Sequence, residues 1–185
     1  MSRLVLVTGG ARSGKSSFAE NIARCFGDNV LYVATSVPFD EEMRDRIKKH
    51  RQSRPSNWET LETYKDFDKL LPEAVGNKEC VILDCITVMI TNIMFEKEMD
   101  FDRVDAEMSN NLEAIVRIEV EKLIETGRKM DITLIMVTNE IGMGIVPDNA
   151  ISRAFRDIAG RMNQLLAKAC DEVYVCISGI PLRLK

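Results

Sequence analysis

The chain has 185 residues, of which 45% are apolar and 29% charged. That is the length and composition of one globular domain, able to bury roughly 70% of its unfolded surface without disulfides or a structural metal. Its formal net charge is −4, which argues against a nucleic-acid partner, because gripping a phosphate backbone needs a basic excess.

Residues 4–8 form a short β-branched apolar run, the pattern of a strand buried on both faces. The run is too short for a signal peptide and leads straight into Gly9 and Gly10, which break it. Residues 15–26 read as a helix with Phe18, Ile22 and Cys25 on one face, and 29–35 as a second buried strand. Residues 40–51 are charged and read as a helix, with Pro55 beyond its end, whereas 58–61 show no decisive period. Residues 66–75 form a short amphipathic helix stopped by Gly76 and Asn77. Residues 80–83 are another strand, closing on Asp84, and 86–95 continue as a helix. A long helix is predicted over 103–125 on the period Val104, Met108, Leu112, Ile115 and Glu119, with Gly127 as its C-cap. Residues 132–137 read as a strand, 152–170 as a helix and 172–177 as a last buried strand. Ser178 and Gly179 allow a turn, so that 181–185 fold back as a short edge strand.

Strands and helices alternate from end to end, which predicts an α/β fold with a mostly parallel sheet and helices on both faces. No repeat, low-complexity tract or composition break marks a linker, so residues 1–185 read as a single domain. Of the five cysteines, Cys25, Cys80, Cys85, Cys170 and Cys176, none forms a C-x-x-C pair, and their odd number argues against a disulfide framework. Cys80, Cys85 and Cys176 lie in apolar surroundings and read as small buried hydrophobes. The richest apolar stretch, 81–95, is interrupted by Asp84, Thr87, Thr91 and Asn92, so no membrane span is expected. A soluble protein of the reducing cytoplasm follows.

The first strand-to-helix turn, Gly9, Gly10, Ala11, Arg12, Ser13, Gly14, Lys15 and Ser16, fits G-x-x-x-x-G-K-[ST]. A triphosphate packs several negative charges into a small space. Glycines let successive backbone N–H groups point inward at it, and the helix starting near Lys15 adds its positive dipole end. In this motif the lysine reaches the β- and γ-phosphates and the Ser16 hydroxyl binds Mg²⁺. The bland alternative is a glycine turn that happens to contain Gly-Lys-Ser, but the strand before and the helix after are the context the motif requires. A carboxylate at a neighbouring strand end would complete the Mg²⁺ site, and Asp84 qualifies. It could instead cap the next helix. The lone histidine, His50, lies among Lys48, Lys49, Arg51 and Arg54. Such a run reads first as a solvated helix face, the alternative being an anion-binding patch. Neutral imidazole is, however, a nucleophile toward phosphorus, and flanking cations favour the neutral form and stabilise a departing pyrophosphate.

Several stretches together resemble one family. They are residues 8–16, Tyr32-Val33-Ala34-Thr35-Ser36, Arg46-Ile47 with His50-x-x-x-Arg54-Pro55-x-x-Trp58, Asp84-Cys85-Ile86-Thr87, residues 137–147 and residues 155–164. The chain is similar, over nearly its full length, to the adenosylcobinamide kinase / adenosylcobinamide-phosphate guanylyltransferases of cobalamin biosynthesis. The resemblance implies a RecA-like P-loop fold and two reactions. A nucleoside triphosphate, ATP or GTP, phosphorylates the aminopropanol hydroxyl of adenosylcobinamide. GTP then gives its GMP unit to that phosphate through a GMP–histidine intermediate. It implies His50 and Lys15 as catalytic residues and Mg²⁺ on Ser16 and Asp84. Nucleotide contacts are implied for residues 9–16, Ser17, Ala34, Thr35, Ser36, Arg51, Gln52, Ser53, Arg54, Glu62 and Asp84, in a homotrimer. Glu62 matches a guanine-contacting position, and a carboxylate can accept from both the ring N–H and the exocyclic amine of guanine, a pair adenine lacks. Asn139, Glu140 and the Gly142-x-Gly144 loop end a predicted strand, where parallel sheets bind ligands, and the loop is read either as a corrinoid contact or as a structural turn. Gly160-Arg161 serves either packing or a subunit contact. The competing readings are a P-loop kinase of another small hydroxyl substrate, without a covalent nucleotide, and a RecA-like ATPase acting on nucleic acid.

Overall fold

The computed structural model describes residues 2–37, 41, 44, 45, 51, 55–96 and 104–185. Its strands are β1 (Arg3–Gly9), β2 (Val30–Ala34), β3 (Glu59–Glu62), β4 (Cys80–Asp84), β5 (Thr133–Val137), β6 (Glu172–Ile177) and β7 (Ile180–Arg183). Its helices are α1 (Lys15–Ala23), α2 (Phe67–Val75), α3 (Ile86–Met94), α4 (Ala106–Lys129) and α5 (Ala150–Ala169), with a 3-10 turn at Arg24–Phe26. One seven-stranded sheet runs β3-β2-β4-β5-β1-β6-β7, and every pairing is parallel except β6 with β7. β5 separates the glycine-turn strand β1 from β4, which ends in Asp84. That is the RecA-like arrangement the resemblance implied.

Period-two alternation sorts the strand residues between two cores. Leu4, Leu6, Leu31, Val33, Val81, Leu83, Leu134 and Met136 pack against α2, α3, α4 and α5. Val5, Val7, Val30, Tyr32, Ile82, Ile135 and Val137 face α1. Both faces are covered, as expected, but unequally: among the described residues one helix lies on one face and four on the other. On the α1 face, Phe18 meets Tyr174 edge-on at 5.0 Å. Trp58 closes the same face, donating its indole N–H to Gly27 O at 3.0 Å.

Several expectations shift. The stretch over 58–61 becomes the parallel edge strand β3, whose backbone pairs with β2 although its side chains are only half-buried or exposed. The helix expected over 40–51 falls mostly outside the described residues. α4 runs to Lys129 and buries Leu112, Val116, Val120, Leu123, Thr126 and Gly127, while Ile115 stays 43% exposed. Gly127 is therefore not a C-cap but a packing residue. A Cβ there would lie 2.6 Å from Leu134 Cδ2 and 3.0 Å from Leu4 Cδ2, so glycine lets the helix settle onto the sheet. Asp105 and Asn149 cap α4 and α5 by accepting from Met108 N and Ser152 N, each at 2.8 Å. The turn at Ser178 and Gly179 has φ of 52° and 83°, the two positive angles of a type I′ hairpin, and returns the chain as β7.

Candidate active site

The carboxyl ends of five strands form one edge. Glu62 pairs with Ala34, Ala34 with Asp84, Asp84 with Val137, and Val137 with Val7. With strands about 4.8 Å apart, Asp84 lies two steps, about 10 Å, from β1, and Glu62 four steps, about 19 Å. Asp84 is thus near the phosphate loop, and Glu62 lies far across the edge.

The loop after β1 has the predicted shape. Gly9, Arg12 and Gly14 have φ of 153°, 58° and 88°, the kind of turning backbone that lets successive amides converge on an anion. A Cβ on Gly9 would come within 2.5 Å of both Cys176 O and Ser13 Oγ, and one on Gly14 within 2.9 Å of Gly179 Cα. The cradle therefore admits only glycine at these two positions. Gly14 begins α1 without a side-chain cap, which leaves first-turn N–H groups for an anion. Lys15 is buried, with its ammonium donating to Gly10 O at 3.1 Å. Ser13 Oγ is buried without a hydrogen-bond partner among the described residues. Ser16 is half-buried, while Gly10, Ala11, Arg12 and Ser17 are exposed. A glycine cradle, an unsatisfied hydroxyl and a helix start suit a triphosphate.

Asp84 is half-buried and accepts from the Tyr32 hydroxyl through Oδ2 at 3.0 Å. Beside it, the Cys85 thiol is pushed up to about 12, chiefly by burial and then by the Asp84 charge, with Lys15 pulling the other way. Burial also raises Cys176, again against Lys15. The ammonium thus acts on the ends of both β4 and β6. Among the described residues no three His, Cys, Asp or Glu side chains gather to cage a metal. A Mg²⁺ ion bound partly by phosphate oxygens needs no such cage, and Ser16 with Asp84 fits that donor chemistry.

The remaining predicted residues spread along the edge. Ala34 ends β2 and Ser36 is half-buried. Thr35 is 1% exposed, and its hydroxyl donates to Cys85 O and accepts from Cys85 N, both at 2.9 Å. It locks β2 to the end of β4. Glu62 is exposed. Arg51 is exposed and lines a cleft of about 410 Å³ with Pro55, Ser56, Trp58, Glu59 and Thr60. His50, Gln52, Ser53 and Arg54 lie outside the described residues. The loop after β5 exposes Met143 (89%) and Ile145 (95%), and Glu140 accepts from Gly142 N at 2.7 Å.

Two features escaped the sequence reading. Tyr32 stands in an aliphatic strand, where a buried phenol needs a polar partner, yet nothing local names Asp84 as that partner. The hairpin turn braces the phosphate loop, with Gly179 N donating to Ser13 O at 2.9 Å. That contact spans most of the chain and leaves no local signal.

Comparison with known proteins points to one family. The family model described as cobinamide kinase / cobinamide phosphate guanyltransferase matches residues 5–184. The bifunctional adenosylcobalamin biosynthesis protein CobU of Escherichia coli (strain K12) is 44% identical over 184 residues, covering 98% of this chain and 99% of that protein. The bifunctional adenosylcobalamin biosynthesis protein CobP of Pseudomonas aeruginosa is 36% identical over 180 residues, covering 97% and 96%. Among solved structures, the flagellar accessory protein FlaH from Methanocaldococcus jannaschii aligns over 99% of this chain and 78% of its own, at 17% identity and a TM-score of 0.49. With a phosphate loop of the required geometry and a family match along nearly its whole length, the chain belongs to the cobinamide kinase / cobinamide phosphate guanyltransferase family.

Proposed function

We propose that this chain catalyses both reactions of its family, with the nucleotide held at the phosphate loop and His50 as the covalent carrier of GMP. The full-length family match carries the reading, and the glycine cradle around Lys15 supports it. In the first reaction the hydroxyl oxygen of adenosylcobinamide attacks the γ-phosphorus of ATP or GTP. The bond to the β–γ bridging oxygen breaks, the hydroxyl proton passes to solvent and nucleoside diphosphate leaves. Loop amides and Lys15 hold the triphosphate and offset its developing charge. Mg²⁺, held through Ser16 and Asp84, supplies further neutralisation when bound.

In the second reaction a His50 nitrogen attacks the α-phosphorus of GTP and pyrophosphate departs. A phosphate oxygen of adenosylcobinamide phosphate then displaces the histidine, giving adenosyl-GDP-cobinamide. Arg51, Gln52, Ser53 and Arg54 steady the nucleotide, Ala34, Thr35 and Ser36 shape its path, and Glu62 reads guanine. The loop that exposes Met143 and Ile145 takes the corrinoid side. The protein works as a cytoplasmic homotrimer without nucleic acid. No helix among the described residues is long and apolar enough to cross a membrane.

The test is incubation with Mg²⁺ and GTP labelled at the α-phosphate, followed by denaturation, for the wild type and His50→Asn. Acid-labile, alkali-stable label on the wild type alone is the expected result. Absence of label under conditions where GTP binds would remove the covalent step and leave a P-loop kinase.

A further inference from the structure

Immediately after β5 the chain runs on beside the phosphate loop, with Thr138 N donating to Val7 O at 2.9 Å and Glu140 N to Gly9 O at 3.1 Å. Between them, the backbone of Asn139 is held from both sides by side chains. Its N–H donates to Thr87 Oγ1 at 2.8 Å, and its C=O accepts from Asn163 Nδ2 at 3.1 Å. The other end of the Asn163 carboxamide accepts from the Thr138 hydroxyl at 2.7 Å. Thr138 and Thr87 are themselves 3.3 Å apart. A hydroxyl has one hydrogen, and Thr138 has placed its own on Asn163, so Thr87 donates to Thr138. The network is consistent in every donor and acceptor. It joins the first turn of α3, the end of β5 and the middle of α5, with Thr87 and Thr138 buried.

The bonds of Thr138 N and Glu140 N to Val7 O and Gly9 O carry the extended pairing past the end of β5, so alternation turns the Asn139 side chain to the opposite face from Thr138. There its Nδ2 lies 3.9 Å from the Sγ of Cys85, the residue next to Asp84 at the end of β4. A neutral carboxamide with two N–H donors is therefore held between the glycine loop, whose Gly9 O accepts from Glu140 N, and Cys85, which follows Asp84 in the chain. Its backbone cannot drift without breaking bonds to two helices. Phosphoryl transfer is accelerated by donors that are already in place where charge develops.

We propose that Asn139 is a catalytic residue that donates a hydrogen bond to the phosphoryl group in transfer, and that Thr87, Thr138 and Asn163 are the positioning residues that fix it there. The assignment rests on reading the glycine loop as the triphosphate site. In the step concerned, the γ-phosphorus exchanges its bond to the bridging oxygen for one to the acceptor hydroxyl, as written above. Asn139 neither gains nor loses a proton.

The experiment measures cobinamide phosphorylation and, separately, equilibrium binding of GTP. Asn139→Ala is expected to lower kcat by about 10²-fold, the usual loss for one preorganised donor, with GTP affinity essentially unchanged. Asn163→Ala should lower kcat in the same way and to a smaller extent. Thr138→Ser, which keeps the hydroxyl, should retain the rate that Thr138→Val loses. Urea unfolding of each variant separates misfolding from mispositioning. Wild-type kcat in a folded Asn139→Ala would overturn the proposal, as would equal losses in kcat and GTP affinity. Lys15→Ala is the control. Retention of GTP binding and turnover by that variant would defeat the phosphate-loop reading itself, whereas a dead Lys15→Ala beside a fully active Asn139→Ala defeats only the present inference.

Discussion

Two helical glycines should respond to the same substitution with opposite signs. Gly160 sits in the middle of α5, and a Cβ added there meets nothing within 4 Å. Gly160→Ala should therefore stabilise the chain by about 0.8–1.0 kcal/mol, the intrinsic difference between the two residues inside a helix. Gly127 is in the last turn of α4, where that gain is no larger. A Cβ there would stand 2.6 Å from Leu134 Cδ2 and 3.0 Å from Leu4 Cδ2, and both leucines are fully buried. Inserting a carbon into such a core costs about 1–3 kcal/mol. The two leucine methyls are branch ends that can turn, which favours the lower part of that range. The two variants should then differ by about 1–3 kcal/mol, or roughly 2–12 °C in Tm for a chain of this size. Urea unfolding with a fixed m-value, run at several protein concentrations, measures the difference. A Gly127→Ala protein as stable as Gly160→Ala would refute the packing argument. A concentration-dependent loss in Gly160→Ala would show that a second copy of the chain fills the space beside α5.

The thiols give a cheaper check of burial. Cys80, Cys85 and Cys170 are pushed up to about 12, mainly by burial, and Cys25 is the one exposed cysteine. Iodoacetamide at pH 8 should add a single carbamidomethyl group to the native chain and five after denaturation, counted by mass spectrometry. The Arg128 fork on Asp171, at 2.8 and 2.9 Å, holds that carboxyl below its usual range. Its stabilisation is complete above the ordinary aspartate value of about 3.9 and is lost as pH falls through the lower folded value. Both side chains are more than a third exposed, so screening limits the effect to about 1 kcal/mol. The stability gap between wild type and Arg128→Ala should stay flat from pH 7 to pH 5 and narrow toward pH 3. A gap that widens on acidification would reject the assignment.

Local chemistry explains what could be read in advance. Each central parallel strand is a continuous apolar run because both its faces are buried, and the glycine loop must obey a phosphate's geometry, so both are written in consecutive residues. β3 was hard to see because an edge strand half-open to solvent has no reason to be uniformly apolar. Gly127 was misread because a glycine near a helix end looks like a stop. Only the sheet residues Leu134 and, far away in sequence, Leu4 reveal that it makes room for the sheet. The Thr87, Thr138 and Asn163 network was invisible for the same reason: each residue is ordinary alone, and only the crossing of α3, β5 and α5 makes them a unit.

The bracing of the phosphate loop by the final hairpin also orders events in time. β1 pairs on one side with β5, Arg3 opposite Thr133, and on the other with β6, Val5 opposite Glu172. Gly14 closes against Gly179. β1 thus leaves the ribosome well before either neighbour and finds neither until β5 and β6 have followed, and its loop lacks its brace until the hairpin after β6 has formed. Contacts of such long sequence separation make folding slow and leave unpaired strand edges exposed meanwhile. The glycine loop should accordingly take its braced shape only after β6 and its hairpin have been made, although the loop itself is translated long before them.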